Sequence, residues 1–193
     1  NTIIVGAQWG DEGKGKIVDN FSSQYDFCVR FNGGNNAGHT IINERGEFAA
    51  HLIPGGIFHE HVTCVIGNGV VVHFPSLRAE MSEIVKLEVS EEELQSRLKI
   101  SSRSHIVLPW HIALDRLQEQ ARGKEKIGTT SRGIGPVFSD KIGRHGLRIG
   151  DVIRMSEQEV RVWMRKEFYR HLKIMRALYR LSSAMAEDLN MGS

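Results

Sequence analysis

The 193-residue sequence has few of the features that mark secreted, fibrous or membrane proteins. Its two cysteines, Cys28 and Cys64, lie in apolar runs, which indicates buried thiols in a reducing compartment and argues against a disulfide framework. No apolar run is long enough to span a bilayer. Lys and Arg number 25 against 23 Asp and Glu, so no excess of charge points to nucleic acid or a membrane surface. We therefore expect a cytoplasmic protein without nucleic-acid or membrane partners.

A glycine-rich loop near the start carries most of the chemical information. Residues 2–7 form an apolar run, which predicts a parallel strand buried on both faces. The segment Gly10-Asp11-Glu12-Gly13-Lys14-Gly15-Lys16 then fits the phosphate-loop pattern G-x-x-x-x-G-K. Its glycines let backbone N–H groups approach a phosphate, and a helix starting near Gly13 directs its positive end at the same anion. Ile17 replaces the usual Ser or Thr ligand of magnesium, and Asp11 offers an oxygen ligand instead.

Hydrophobic periodicity predicts alternating strands and helices along most of the chain. Strands are predicted at 2–7, 27–31, 63–66, 70–73 and 105–108, and helices at 14–22, 76–87 (capped by Ser76), 110–122 and from 156 onward. Residues 123–150 lack periodicity and are interpreted as a functional loop region. The pattern favours an α/β fold, with a mainly parallel central sheet and flanking helices as in P-loop NTPases, followed by a helical C-terminal segment.

The strings at this loop and further along the chain resemble one enzyme family. Gln8-Trp9-Gly10-Asp11-Glu12-Gly13-Lys14-Gly15-Lys16 is similar to the N-terminal signature of adenylosuccinate synthetases. The resemblance continues at 36–40, 51–54, 66–70, 127–130 and 132–136, and covers about residues 1–151. It implies that residues 1–151 are the N-terminal nucleotide- and phosphate-binding part of the synthetase domain. Residues 152–193 are then a helical segment, and the remainder of the family domain is absent from this chain.

The resemblance implies a ligase of purine nucleotide (AMP) biosynthesis. Such an enzyme uses GTP and Mg²⁺ to phosphorylate the 6-oxygen of IMP, and L-aspartate then displaces the phosphate to give adenylosuccinate. Asp11 matches the family's catalytic base and a magnesium ligand, and the backbone carbonyl of Gly38 matches a second ligand. His39 matches the catalytic residue that donates to the 6-oxygen or to the transferring phosphoryl group.

Further binding residues follow from the same matched strings. Those assigned to GTP and its phosphates are Gly10, Asp11, Glu12, Gly13, Lys14, Gly15, Lys16, Gly38, His39 and Thr40. Those assigned to IMP are Asp11, Glu12, Gly13, Lys14, Asn36, Ala37, Gly38, His39, Thr130 and Arg144. Thr130 matches a contact to the 5′-phosphate, and Arg144 matches an arginine that crosses the interface of a homodimer to the other subunit's nucleotide.

Two departures from the family leave alternatives open. Family members usually run to more than twice this length, and their guanine- and aspartate-binding residues are not found here. One alternative is therefore a truncated or diverged IMP- or nucleotide-binding module without ligase activity. A P-loop hydrolase or kinase is disfavoured by Ile17. A phage-type synthetase acting on a deoxyguanine nucleotide is disfavoured by Asp11, which such relatives replace. His51, His73, His105 and His111 are expected to be structural.

Overall fold

The computed structural model describes residues 1–8, 12–43, 46–87 and 89–179, with only the backbone described at 39, 42 and 43. The chain divides into two compact units, Asn1–Ser104 and His105–Ser193. The predicted α/β class is confirmed, with a parallel sheet and flanking helices. Within the described ranges, no helix combines the length and the apolar character needed to cross a membrane. The family-domain boundary at residue 151 stays a prediction.

The first unit contains most of the strands. In chain order its elements are α1 (Lys14–Ser22), β1 (Phe27–Arg30), β2 (His39–Asn43), β3 (Gly46–Ala50), a 3-10 helix (Gly55–Phe58), β4 (Thr63–Ile66), β5 (Val71–Val72), α2 (Phe74–Lys86), α3 (Glu91–Arg97) and β6 (Leu98–Ile100). β1, β4 and β6 form a parallel sheet in the order β1-β4-β6, and β2 pairs with β3 in antiparallel fashion. Cys28 and Cys64 face each other in register as buried free thiols, which confirms their interpretation as core residues.

The predicted strand at 2–7 is wrong. No strand is assigned over the described residues 1–8, and Ile3 and Val5 are 77% and 69% exposed. Two cavities, of about 380 and 250 Å³, lie between this segment and β1, so the segment lacks the neighbouring backbone that a strand needs for its hydrogen bonds. An apolar run predicts burial, but strand formation also requires a partner at the correct distance.

The predicted helices of the first unit are present, with one change at a helix start. α1 has the predicted bounds. α2 begins at Phe74, two residues before the predicted cap Ser76, because Pro75 in its first turn is compatible with a helix start. Ser76 Oγ instead contacts His73 Nδ1 at 2.8 Å and accepts a hydrogen bond from Asn35 Nδ2 at 2.9 Å. Leu77 and Ile84 are buried, as the periodicity predicted.

The second unit is mainly helical. Its elements are β7 (His105–Ile106), α4 (Pro109–Ala121), a 3-10 helix (Gly123–Glu125), α5 (Ile134–Ile142), α6 (Ile149–Arg154) and α7 (Glu157–Tyr179). Its core includes Trp110, Leu114, Leu117, Leu147 and Met175, with Trp163, Met164 and Phe168 packed against them. Ser156 and Glu159 exchange hydrogen bonds at the start of α7, as in a capping box. The long C-terminal helix was predicted from its apolar stripe, and Leu172 and Met175 are buried as expected.

The interpretation of 123–150 as an irregular region is only partly correct. α5 and the start of α6 lie within it. α5 has nine residues and includes Gly135 and Pro136 in its first turn, where proline is tolerated although it disrupts a helix interior. Such a short segment offers too few apolar repeats for periodicity to detect. The irregular part is thus reduced to about residues 126–133, ahead of α5, and 143–148, between α5 and α6.

Candidate functional site

The glycine-rich loop leads directly into the start of α1. Gly13 adopts a left-handed conformation, with φ of 73°, and α1 follows at Lys14 without a side-chain cap. The first backbone N–H groups of α1 therefore remain available to an anion, in line with the positive end of the helix dipole. Gly10 and Asp11 lie outside the described residues, so their assigned roles stay predictions.

Glu12 and Lys14 form an ion pair within this loop. Lys14 Nζ contacts Glu12 Oε2, and Glu12 Oε1 accepts a hydrogen bond from the Gln8 backbone N–H at 3.0 Å. Lys14, together with these backbone contacts, holds the pKa of the Glu12 carboxyl below its usual range. A Cβ at Gly6 would lie 2.7 Å from both Glu12 Oε1 and Lys14 Nζ, so glycine at this position leaves room for the pair. A phosphate that binds here must compete with Glu12 for the lysine.

One cavity joins the glycine-rich loop to the chain that follows β1. It has a volume of about 380 Å³, and its polar lining includes Lys14, Gly15, Arg30 and Asn32. Its apolar wall includes Ile4, Val18, Ile41 and Ile53. The structure thus brings the predicted phosphate-binding residues Lys14 and Gly15 next to the start of the Asn- and Gly-rich loop, which holds predicted IMP-binding residues. Lys16 is exposed on α1 and does not line this cavity.

Arg30 fixes the conformation of the loop at 32–38. Its guanidinium donates to the carbonyls of Gly34, at 2.7 Å, and Asn32, at 3.4 Å, and also to the carbonyl of His51. Burial lowers the pKa of Arg30, although arginine remains charged in proteins. Asn36 Oδ1 accepts from the Gly34 N–H at 3.2 Å, so this predicted IMP contact also closes its own loop.

A buried carboxylate supports the neighbouring segment at 51–54. Glu80 of α2 accepts hydrogen bonds from the backbone N–H groups of His51, Leu52 and Ile53, at 2.8, 2.9 and 3.0 Å. Burial raises the pKa of Glu80, and these neutral donors oppose that rise only in part. His51 Nδ1 in turn donates to the Ala37 carbonyl at 3.0 Å. The matched string at 51–54 is therefore a brace for the 32–38 loop.

Sequence reasoning did not identify Arg30 and Glu80 as parts of the site. The available signal was an acid on the apolar face of a helix: Glu80 lies three residues after Leu77 and four before Ile84, and all three are buried. Arg30 had no comparable signal, since a single cation at the end of a strand is common. The expectation that His51 is structural agrees with its contact to Ala37.

The remaining predicted residues of the first unit lie just beyond this braced loop. Gly38 is exposed, and a Cβ there would lie 3.1 Å from His51 Cε1. His39 begins β2, where its backbone is paired with Ala50, and its side chain is outside the described atoms. Thr40 is exposed on the same strand. The catalytic assignment of Asp11 and His39 therefore stays a prediction.

In the second unit, α4 holds the loop at 126–133 through two acids. Glu119 Oε1 accepts from the Gly128 N–H, and Asp115 Oδ2 accepts from the Gly133 N–H, both at 2.8 Å. The Gly128 amide, helped by Arg122, holds the pKa of Glu119 below its usual range. Gly128 and Gly133 both have φ of 77°, and a Cβ at Gly133 would lie 2.8 Å from the backbone of α4. Glycine is required at Gly133 for both reasons.

Two predicted IMP-binding residues are presented by loops of this second unit. Thr130 is exposed between Gly128 and Gly133. Arg144 is exposed after α5 with φ of 62°, a conformation that residues with a Cβ seldom adopt. Its guanidinium makes no hydrogen bond or ion pair with any residue that the structure describes. Sequence reasoning missed the supporting acids Asp115 and Glu119, although with His111 they follow a four-residue spacing that places them on one face of α4.

These features define a class of protein before any relative is considered. A glycine-rich loop that enters a helix beside a parallel sheet, with a lysine at a shared cavity, is typical of an α/β protein that binds the phosphates of nucleotides. A model of the adenylosuccinate synthetase family matches residues 3–191. The chain belongs to the adenylosuccinate synthetase family.

Individual relatives agree with this assignment. The chain is 53% identical over 152 residues to the adenylosuccinate synthetase of Dehalococcoides mccartyi strain BAV1, covering 79% of this chain and 35% of that protein. It resembles the structure of fully ligated adenylosuccinate synthetase from Plasmodium falciparum with a TM-score of 0.79 and 38% identity, over 97% of this chain and 42% of the other. The cyanophage S-2L succinoaminodeoxyadenylate synthetase, bound to dGMP and dATP, is less similar, with a TM-score of 0.53 and 25% identity over 79% of this chain and 41% of the other. The chain thus spans about two fifths of the length of these relatives.

Proposed function

We propose that the complete gene product is an adenylosuccinate synthetase, a GTP-dependent ligase that joins L-aspartate to IMP through 6-phosphoryl-IMP. The observation that carries this proposal is the shared cavity between the glycine-rich loop and the 32–38 loop, in a chain that matches the family over residues 3–191. The alternative of a binding module without ligase activity is not favoured, because the family match runs through nearly the whole chain. The reaction belongs to AMP biosynthesis in the cytoplasm.

In the proposed reaction Asp11 acts as the base. It removes the proton from N1 of IMP, and the electron pair moves to O6, which attacks the γ-phosphorus of GTP as GDP leaves. The amino group of L-aspartate then attacks C6, and the C6–O6 bond breaks with release of phosphate. His39 donates a hydrogen bond toward O6 or the transferring phosphoryl group, where negative charge develops.

The phosphates are proposed to bind at the start of α1. Backbone N–H groups of residues 13–16 and the exposed Lys16 supply fixed and mobile positive charge. The charge of Lys14 is neutralised by Glu12 in this structure. When a phosphate binds, the Lys14 ammonium group is proposed to move from the Glu12 carboxylate to the phosphate. Glu12 then becomes free to accept a hydrogen bond from a ligand N–H or hydroxyl.

The residues available fit a magnesium ion in this loop. Asp11 is proposed to supply a carboxylate ligand, with the Gly38 carbonyl as a second hard oxygen donor. Substrate phosphates and water complete a site of this kind. When bound, the ion supplies Lewis-acid stabilisation of the phosphoryl oxygens.

The residues proposed to contact IMP are those that match the family's IMP-binding positions. They include Asn36, Ala37 and Gly38 of the braced loop, and Thr130 is proposed to bind the 5′-phosphate. Arg144 is proposed to cross the interface of a homodimer to the IMP of the other subunit. Its exposure and its lack of a carboxylate partner among the described residues support this role.

Formation of adenylosuccinate by the purified complete gene product tests the proposal. IMP, GTP, L-aspartate and Mg²⁺ are supplied together, and each is omitted in turn. We expect product only when all four are present, with release of one GDP and one phosphate per adenylosuccinate. Binding of IMP without any product under the complete conditions would instead support the non-catalytic module.

The shared site is tested by mixing two impaired variants, one that binds IMP weakly and one that lacks the base. Arg144→Leu and Asp11→Asn subunits, combined and allowed to exchange, should regain part of the parent activity, because each hybrid dimer contains one site with both native residues. Verified hybrids that remain inactive would contradict the assignment of Arg144 to the partner's site.

A further inference from the structure

A buried carboxylate, Asp140 near the end of α5, connects three helices of the second unit. Its Oδ2 lies 3.1 Å from His111 Nε2 of α4 and 2.9 Å from His171 Nε2 of α7. Its Oδ1 accepts from Arg170 Nη2 of α7 at 2.8 Å. His111 and His171 are each 1% exposed, so nearly all of this network is closed to water. None of these four residues was singled out by the sequence patterns as functional.

The hydrogen bonds identify this network as an ion-pair cluster and argue against a metal centre. The three side chains have ligand atoms within 4.8 Å of one another. However, His111 Nδ1 accepts from the Leu108 backbone N–H at 2.9 Å, so the neutral ring carries its proton on Nε2 and has no lone pair left there for a metal. His171 Nδ1 donates to the Glu167 carbonyl at 2.8 Å, and its Nε2 faces the Asp140 carboxylate.

The donors around Asp140 favour its ionised form. Burial opposes ionisation of Asp140, but hydrogen bonds from His111, His171 and Arg170 outweigh it and hold the pKa of this carboxyl well below its usual range. Arg170 also pairs with Glu167, at 2.6 Å between Nε and Oε2. The carboxylate of Asp140 is therefore held ionised and in one position by donors from two other helices.

The backbone of the same residue organises the loop that follows. The Asp140 carbonyl accepts from the N–H groups of His145 and Gly146, at 2.8 and 3.1 Å. Arg144 lies between Asp140 and these two donors in the sequence. It takes the left-handed position at a helix C-terminus where glycine is favoured. The guanidinium is thereby exposed and unpaired among the described residues, whereas the nearby Arg148 is paired with Asp151.

We propose that Asp140 is a positioning residue, which anchors the end of α5 so that Arg144 is presented in its left-handed conformation to the phosphate-bearing substrate. The inference rests on the proposed function, because it takes Arg144 to be a contact for IMP. Asp140 itself is buried and is not proposed to touch the substrate. Its contribution is to reduce the freedom of an exposed arginine whose backbone conformation is otherwise disfavoured.

A double-mutant cycle in the complete gene product tests this role. Asp140→Asn keeps the shape of the side chain but removes the charge that two histidines and Arg170 hold. We expect the KM for IMP to rise by roughly tenfold to a hundredfold, a range typical of a misplaced binding group, while the KM for GTP stays within about twofold. In an Arg144→Leu background, Asp140→Asn should raise the KM for IMP no further, because it acts through Arg144.

Three further variants keep the test decisive if Asp140→Asn folds poorly. Arg170→Gln removes the charged donor of a partly exposed side chain and should raise the KM for IMP several-fold, less than Asp140→Asn, because the two histidine contacts remain. Arg170→Lys keeps the charge, and its KM for IMP should stay closer to that of the parent. Leu117→Ala removes core packing from α4 without touching the cluster and should lower Tm without changing the KM for IMP. An equal rise in KM for Leu117→Ala would assign the effect to general destabilisation and overturn the proposal.

The outcomes separate this inference from the proposed function. If Arg144→Leu weakens IMP but Asp140→Asn and Arg170→Gln do not, the positioning role is wrong and the proposed function stands. If the increases in the KM for IMP caused by Asp140→Asn and Arg144→Leu multiply in the double variant, the positioning role is also wrong. If Arg144→Leu itself leaves the KM for IMP unchanged, both the positioning role and the assignment of Arg144 to IMP are wrong.

Discussion

The pKa values of three carboxyl groups in this chain shift in different directions because their hydrogen-bond donors differ. Glu80 is held by neutral backbone N–H groups, and burial raises its pKa. Asp140 is held by Arg170 and two histidines, and its pKa is lowered despite burial. Glu12, near the surface, is held chiefly by Lys14, and its pKa is lowered as well. The identity of the donor therefore decides whether a buried acid acts as an anchor for backbone or as the centre of an ion-pair cluster.

Asp11 is the residue on which the proposed chemistry depends most. Asp11→Asn in the complete gene product keeps the size of the side chain but removes the base and weakens the magnesium site. We expect adenylosuccinate turnover to fall by at least about a thousandfold, since general-base loss alone costs roughly 10² to 10⁴. Asp26→Asn, an exposed aspartate before β1, serves as the control and should leave turnover near the parent value. Retention of more than about a tenth of turnover by Asp11→Asn would exclude both assigned roles.

The buried histidine of α4 predicts a dependence of stability on pH. Burial lowers the pKa of His111 below its ordinary value of 6.5, so the folded chain keeps the ring neutral at a pH where the unfolded chain binds a proton. Stability should therefore fall as pH decreases below about 6.5, by up to about 1.4 kcal/mol per pH unit for one proton. The lowered pKa of Asp140 adds a second loss of stability, which begins as pH falls below about 3.8.

His111→Gln isolates the first of these effects. Glutamine retains a donor toward Asp140 but does not titrate, so its free energy of unfolding should change less between about pH 7 and pH 5.5 than that of the parent. Urea unfolding at the two pH values measures the difference. The same pH dependence in both would mean that the unfolding reaction does not involve protonation of His111.

At the scale of elements, hydrophobic periodicity predicted the helices whose formation depends mainly on burying an apolar face. α1, α4 and α7 have apolar residues at helical spacing, and the structure places each within one or two residues of the predicted bounds. The segment at 2–7 was predicted incorrectly because its pattern reports only apolar character, while strand formation depends on a neighbour. α5 was missed because its start depends on the left-handed Gly133, which an acid of α4 stabilises from a distant point in the sequence.

The candidate site was predictable only where the chemistry lies in a contiguous string. The loop at 10–16 and the glycines around Thr130 could be identified from sequence. The braces could not, because each joins segments that are far apart: Glu80 to residues 51–53, Asp115 to Gly133, and Asp140 to α4 and α7. These contacts follow from tertiary structure, and no local pattern encodes them.

The brace between α2 and the 51–53 segment predicts a stability effect specific to one acid. Glu80→Gln replaces a carboxylate that accepts from three backbone N–H groups with an amide that has a single acceptor oxygen. We expect the free energy of unfolding to fall by about 1 to 3 kcal/mol, as for buried groups left without a partner. Glu83→Gln on the same helix is a matched control, since its exposed pair with Lys86 contributes about 0 to 1 kcal/mol. Equal effects of the two variants in urea unfolding would show that the backbone donors of 51–53 do not depend on Glu80.

At the scale of the whole molecule, the sheet presents an apolar surface on its β1 side. Phe27, Val29 and Phe31 are 63%, 52% and 51% exposed, and Ile3 and Val5 lie across the cavities from them. Contiguous exposed apolar groups of this kind are uncommon on isolated monomers. The chain also spans only about two fifths of its relatives. Because the chain holds the proposed phosphate loop but no residue assigned to guanine or to L-aspartate, we expect phosphate binding and ligation to be separable properties.

The 193-residue chain by itself should bind phosphate groups without completing the reaction. It contains the phosphate loop and the proposed IMP loops, but no residue assigned to guanine or to L-aspartate. We predict weak binding of IMP, similar affinities for GTP and ATP, and no adenylosuccinate. Isothermal titration with the three nucleotides, beside an assay that contains aspartate and Mg²⁺, measures both properties, and Lys16→Ala should weaken all phosphate binding as an internal control. GTP-specific ligation by this chain would contradict the prediction and would mean that its own residues supply the guanine and aspartate sites.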